Sequence, residues 1–205
     1  MAQILVDSSP IGRTVRWFVK YTQADKRNNV TCSEISQFAA DFLNTGSLPC
    51  LILEGDGAPF KSNSLFGVLH FICNVTGFKD IFLGKDFDQF EIMSFIETCA
   101  LVSEDDLIEK LEEHLKERVF LVGSHISLAD LFVFSQLIET IRGWEDKIKV
   151  TYANTFRWAD HMQHLPYLEQ MVRAEGLFIS FPDASVQPIS KRELDKMKKK
   201  KWKEA

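Results

Sequence analysis

Apolar positions along the chain follow two different rhythms. Through about residue 76, short apolar runs alternate with segments of helical period. The run 3–6 predicts a buried strand, then a helix to about residue 24 with Ser9 as N-cap, Pro10 at its first position and Val15, Phe18 and Val19 on one side. Asn28-Asn29 breaks that helix and 30–32 predicts a second strand. Ser33 is expected to cap a further helix carrying Ile35, Phe38, Ala39, Phe42 and Leu43 at helical spacing. Residues 48–53 predict a strand with Pro49 at its start, where a missing N–H is tolerated, and Gly55-Asp56-Gly57 a hairpin turn. A returning strand over 58–61 and a helix opening at Ser62 or Asn63 and running towards Asn74 complete this half.

From residue 87 onward the pattern is helical only, with helices expected over 87–102, 104–116, 127–142, 154–164 and 166–173. In the first of these, Phe87, Phe90, Met93, Phe95 and Ile96 form the apolar set. The densest local signal lies at 120–134. There Ser127 is an N-cap and Asp130, three residues on, can accept from the Ser127 backbone N–H, which makes a capping box with Asp in the usual Glu/Gln place. Leu131, Phe132, Val133, Phe134, Leu137 and Ile138 are apolar almost all round, the mark of a core helix. The expected fold class is α/β plus all-α: a thioredoxin-like N-terminal domain over 1–78, a linker over 79–86, a helical bundle over 87–180 and a flexible basic tail over 181–205, disordered from about Pro182.

Composition is that of an ordinary globular protein, with 45% hydrophobic and 26% charged residues among 205. No apolar run is long enough to span a membrane, and the first residues lack the basic and apolar regions of a signal peptide. Cys32, Cys50, Cys73 and Cys99 are far apart and lack zinc spacing, so they are expected to be reduced thiols of a cytoplasmic protein. The net charge of −5 conceals an asymmetry: residues 191–205 hold eight Lys/Arg against three acids, a net +5, so residues 1–190 carry −10. A basic tail on an acidic body points to a local polyanion-binding segment.

Four stretches resemble one family. Asp7-Ser8-Ser9-Pro10-Ile11-Gly12-Arg13-Thr14-Val15-Arg16 resembles the first strand–helix junction of glutathione transferases. Leu48-Pro49-Cys50-Leu51 through Lys61-Ser62-Asn63 is similar to their strand with a Pro, usually cis, and the following Ser, and Phe120-Leu121-Val122-Gly123 to Asp130 to their capping box. Asn154-Thr155-Phe156-Arg157-Trp158, with His161, Gln163 and His164, resembles a segment of the transferase-like modules of translation proteins. That branch includes aminoacyl-tRNA synthetase cofactors, multisynthetase-complex auxiliary subunits and synthetase-appended domains. The resemblance covers about residues 1–180 and implies a non-catalytic module that pairs with synthetases or related modules, as a homodimer or heterodimer, without a cofactor. It also implies that Arg157, with Trp158, His161 and Gln163, sits at a pairing interface. Several members continue through a Lys-rich linker into a tRNA-binding oligonucleotide-binding fold, and Lys198, Lys199, Lys200, Lys201, Trp202 and Lys203 look like the start of such a linker.

Two other activities remain open from the sequence. An active transferase would use Ser9 or Ser8 to donate a hydrogen bond to the glutathione sulfur, with Pro49 and Ser62 holding the peptide; the alternative for Ser9 is a plain helix cap. Lys61 stands where that family commonly has an acid, and would repel the substrate's amino group. The other activity is that of an elongation-factor-complex subunit. Arg157 could equally pair with Asp160 at i+3, and the tail could be an inert spacer. His161 and His164 share a face without a third ligand, so no metal site is expected, and Asp105, Asp106, Glu109, Glu112 and Glu113 form a solvated helix face.

Overall fold

The structure is a computed structural model that describes residues 2–55, 57–85, 87–190, 193, 194, 196 and 197. Its sheet has the order β2-β1-β3-β4, from β1 Ala2–Val6, β2 Val30–Glu34, β3 Cys50–Leu53 and β4 Phe60–Ser62. β1 pairs parallel with β2, while β3 runs antiparallel to both β1 and β4. Ile4, Leu5 and Val6 are all buried, as a central strand covered on both faces requires. The parallel crossover between β1 and β2 is made by α1 Pro10–Tyr21 and α2 Ala24–Arg27. The Leu48–Pro49 peptide is cis. This is the expected thioredoxin-like layer, completed by α3 Gln37–Phe42 and α4 Leu65–Thr76.

Three local expectations are corrected. Ser33 lies inside β2, and Ser36 caps α3 by accepting from the Ala39 N–H. Of the apolar set on that helix, Phe38 and Phe42 are 82% and 83% exposed and none is buried, while Ala40 outside the set is, so its helical spacing does not mark a core face. Ser64, rather than Ser62 or Asn63, caps α4, because the returning strand extends through Ser62.

Helix α5 Lys79–Phe82 lies between the sheet layer and the bundle and inserts Phe82 into the core. The bundle comprises α6 Phe87–Leu101, α7 Glu104–His114, α8 Leu128–Arg142, α9 Asp146–Thr151, α10 Ala153–Gln163 and α11 Leu168–Ala174. Phe87 and Phe90 turn outward at 83% and 76% exposure, against the expectation, and Ile92 and Ile96 carry the buried face of α6 instead. α11 starts two residues beyond Pro166, behind Tyr167 at φ 67°. Residues 181–190 have no regular structure, yet Phe181 packs edge-on against Phe156 and the Ile189 N–H donates to the Thr151 hydroxyl.

α8 is the axis. Its residues Leu128, Leu131, Phe132, Val133, Phe134, Leu137, Ile138 and Ile141 are all buried. The capping box is complete: Ser127 Oγ accepts from the Asp130 N–H, and Asp130 Oδ2 accepts from the Ser127 N–H at 3.0 Å. The same carboxylate accepts from the Ser127 hydroxyl, from the Leu121 N–H at 2.8 Å and from Trp158 Nε1 at 3.0 Å. Asp130 is therefore fully buried but completely served. Against α8 lies α1, joined to it by a buried polar seam. Arg13 Nη1 donates to the Ser135 carbonyl at 3.1 Å, its guanidinium pairs with Glu139 and Glu175, and the Thr14 and Ser135 hydroxyls meet. Trp17 Nε1 donates to Glu175 at 2.8 Å.

Asp130→Asn should cost about 2–4 kcal/mol, because an amide NH₂ then faces buried donors that need an acceptor. Burial pushes the Asp130 carboxyl above its ordinary value of 3.8, against the pull of its four hydrogen bonds. The folded chain therefore holds more proton than the unfolded one in the window above 3.8, and this group's stabilisation falls as pH rises through that window. Urea unfolding of both proteins across pH 4–7 checks both points: the Asn variant should have the lower midpoint and lack that slope.

Candidate interaction surface on the helical half

The junction that a thiol-activating hydroxyl would occupy is built as a cap. Ser9 accepts the Gly12 N–H at 3.1 Å, and its hydroxyl donates to Asp7 Oδ1, which also accepts the Ser9 N–H. A serine hydroxyl carries one proton, and here it is given to Asp7. Ser8 is exposed beside it. Pro49 is buried, Ser62 lies in β4 and accepts from the Ser64 N–H, and the Lys61 ammonium donates to the Asn44 carbonyl at 3.2 Å. Burial raises the thiol of Cys32 to about 11 and those of Cys73 and Cys99 to about 12, and pushes Cys50 up as well. Among the described residues no group of three metal-ligating side chains converges.

The Asn154–His164 stretch divides by depth. Trp158 is 1% exposed and donates its indole N–H to Asp130; Gln163 is fully buried and exchanges hydrogen bonds with the Ile179 backbone. Neither is available at the surface of this chain, where the resemblance implies a pairing role: Trp158 turns towards α8 and Gln163 towards the Ile179 backbone. Arg157 and His161, four residues apart, remain exposed on one face of α10. The ring of His161 packs on Phe120 at 5.4 Å. Arg157 does not reach Asp160. Its Nη2 donates to the carbonyls of Leu115 at 2.6 Å and Arg118 at 3.0 Å, at the C-terminal end of α7.

Glu112, expected on a solvated face, makes the reciprocal contact. α10 has no side-chain cap of its own, and the Glu112 carboxylate from α7 accepts the N–H groups of Asn154 at 3.1 Å and Thr155 at 2.9 Å. It also accepts from the Asn154 amide and the Thr155 hydroxyl. The two helices thus cap one another, with an anion at the N-terminus of α10 and a cation at the C-terminus of α7, each matched to the helix dipole. No spacing rule links Glu112 to Asn154, 42 residues apart, so the pair was invisible along the chain. The Lys198–Lys203 segment lies outside the described residues.

Residues 88–166, the span that contains this pair, match a family model described as the nuclear-export cofactor Arc1p. The chain is 34% identical over 64 residues to eukaryotic translation elongation factor 1 epsilon-1 of Mus musculus and 33% identical over 64 residues to that of Homo sapiens. These matches cover 31% of this chain and 37% of either relative, so only about a third of those relatives' length is represented. Over the whole fold, the glutathione transferase-like domain of elongation factor 1-gamma from Saccharomyces cerevisiae superimposes with a TM-score of 0.67 at 16% identity, covering 92% of this chain and 99% of that one. Human glutathione transferase T1-1 superimposes with a TM-score of 0.65 at 16% identity, over 90% and 93% of the two chains. The architecture is that of the glutathione transferases. Among the described residues no helix is long and apolar enough to cross a membrane.

Loss of the cross-cap is measurable. Glu112→Ala should lower stability by about 1–2 kcal/mol, the range for removing a helix cap. Glu113→Ala, which loses only an exposed i,i+3 contact with Lys116, should stay within about 0.5 kcal/mol of the parent in denaturant unfolding.

Proposed function

We propose that this chain, a glutathione transferase-like module similar to those of translation proteins, is a non-catalytic scaffold. In this reading it brings an aminoacyl-tRNA synthetase, or a related transferase-like module, into a cytoplasmic complex, and it raises the local concentration of tRNA at that partner. The supporting observation is that the span matched to the Arc1p family model contains the cross-capped α7–α10 pair. That pair includes α10, which carries Arg157 and His161 on one exposed face. A rigid helix face is a better docking surface than a loop, because less order has to be imposed on binding. The geometry at Ser9 favours the same conclusion from the other direction. Its one hydroxyl proton is committed to Asp7, so a catalytic hydrogen bond to a glutathione sulfur would first have to break that contact.

The similarity to elongation factor 1 epsilon-1 and to the elongation factor 1-gamma domain also supports an elongation-factor complex as the setting, with the same surface in use. The basic segment Lys198, Lys199, Lys200, Lys201, Trp202 and Lys203 is assigned in this proposal to phosphate contacts on tRNA.

His161→Glu should weaken partner binding about tenfold or more, or reduce self-association, while the chain still melts as a folded protein with only a small loss from the Phe120 contact. Arg157→Ala should do the same and also cost about 1 kcal/mol of stability through its lost bonds to the α7 carbonyls. Light scattering and titration with the candidate synthetase decide this, and unchanged mass and affinity in His161→Glu would sink the interface. Retention on immobilised glutathione together with turnover of a standard electrophile, abolished in Ser9→Ala, would establish an active transferase in place of the scaffold. Truncation after Met197 should lower tRNA affinity and flatten its salt dependence; an unaltered slope would make the tail inert.

A further inference from the structure

A second site lies at the opposite end of α1 from the Ser9 cap. Twelve residues of helix separate the two ends, about 18 Å at the helical rise. Here the last turn of α1, helix α5, the loop before α8 and the start of α11 enclose a groove of about 330 Å³. Phe78, Phe82 and Ile126 make an apolar floor, and Tyr21 and Tyr167 stand at the wall with ring centroids 6.5 Å apart and nearly perpendicular planes. Phe82 is fixed in turn by edge-on contacts to Phe18 and Tyr21, so the floor belongs to the core rather than to a mobile flap.

Two features distinguish this groove from an ordinary surface dent. Tyr167 is held at φ 67°, a left-handed conformation that a bulky side chain rarely adopts, and it lines the groove. Thr22 gives its hydroxyl proton to the Phe18 carbonyl, but three other polar groups at the groove are uncommitted. Neither tyrosine hydroxyl forms a hydrogen bond with the described residues, and the Arg27 guanidinium makes no hydrogen bond or ion pair with them. Arg27 is the one charged side chain among the described residues lining the groove, on a body whose net charge is strongly negative. An apolar floor, two phenols and a single cation match the chemistry of a small aromatic anion.

We propose that this groove binds a small aromatic carboxylate of about two fused rings. The ring system would lie on Phe78, Phe82 and Ile126 against Tyr21 and Tyr167, with its carboxylate on Arg27. The site is independent of the α10 surface and of the scaffold reading.

The test is titration of the full chain with 2-naphthoate, followed by amide NMR shifts, alongside methyl 2-naphthoate as the uncharged probe. Saturable shifts centred on Gln23, Ile126 and Tyr167 are expected, with the acid binding at least tenfold tighter than the ester. Arg27→Gln, at an exposed position, should fold normally and erase the preference for the acid. Tyr167→Gly accepts the left-handed conformation without strain and should keep the fold while weakening both probes several-fold. Equal binding of acid and ester, an unchanged affinity in Arg27→Gln, shifts centred elsewhere, or no saturation at millimolar probe would each overturn the assignment.

Discussion

The carboxylate of Asp130 is the point on which the helical half depends. It is fully buried and accepts four hydrogen bonds, from the backbone of Leu121, from the backbone and hydroxyl of Ser127 and from the indole of Trp158. A buried charge is tolerated only when its acceptor capacity is filled. Filling it here fixes three things at once: where α8 begins, how the preceding loop returns over it, and where α10 crosses. One local capping signal has become a tertiary clamp.

The same logic recurs at the edges of that clamp. α10 carries Trp158 into the core, and its own unsatisfied N-terminus is met by α7, with Glu112 and Arg157 exchanging caps. α1 meets α8 through Arg13, Thr14 and Ser135, where a cation buried between the two halves is paired with Glu139 and Glu175. Apolar burial supplies the bulk of the stability, but these polar seams set the angles at which the helices pack. The architecture therefore presents a rigid α10 face on one side and a fixed aromatic groove on another. At its transferase-like junction, Ser9 caps α1.

Much of the fold was legible because its signals are local. The Ser127–Asp130 box, the Ser9-Pro10 start and the hairpin between β3 and β4 depend on neighbours within a few residues, and each forms as expected. Even so, short-range reasoning misplaced boundaries where two caps compete, as between Ser33 and Ser36, or between Ser62 and Ser64. Periodicity located the helices but not the side that each one buries. Phe38, Phe42, Phe87 and Phe90 repeat at helical spacing and still face outward, because none of the described elements packs over them.

What the sequence determined by itself was the division into a mixed sheet layer and a helical bundle, the capped core helix and the acidic body with its basic end. What only tertiary structure decided was the fate of individual side chains. Trp158 and Gln163 went into the core while Arg157 and His161 stayed outside, a sorting set by where α8 and the Ile179 backbone lie against α10. Glu112 changed from a solvated acid to a helix cap, and Tyr21, Arg27 and Tyr167 came together from distant stretches. The physical reason is that hydrogen bonds and dipoles are satisfied in space, while the sequence displays only those partners that are also neighbours along the chain.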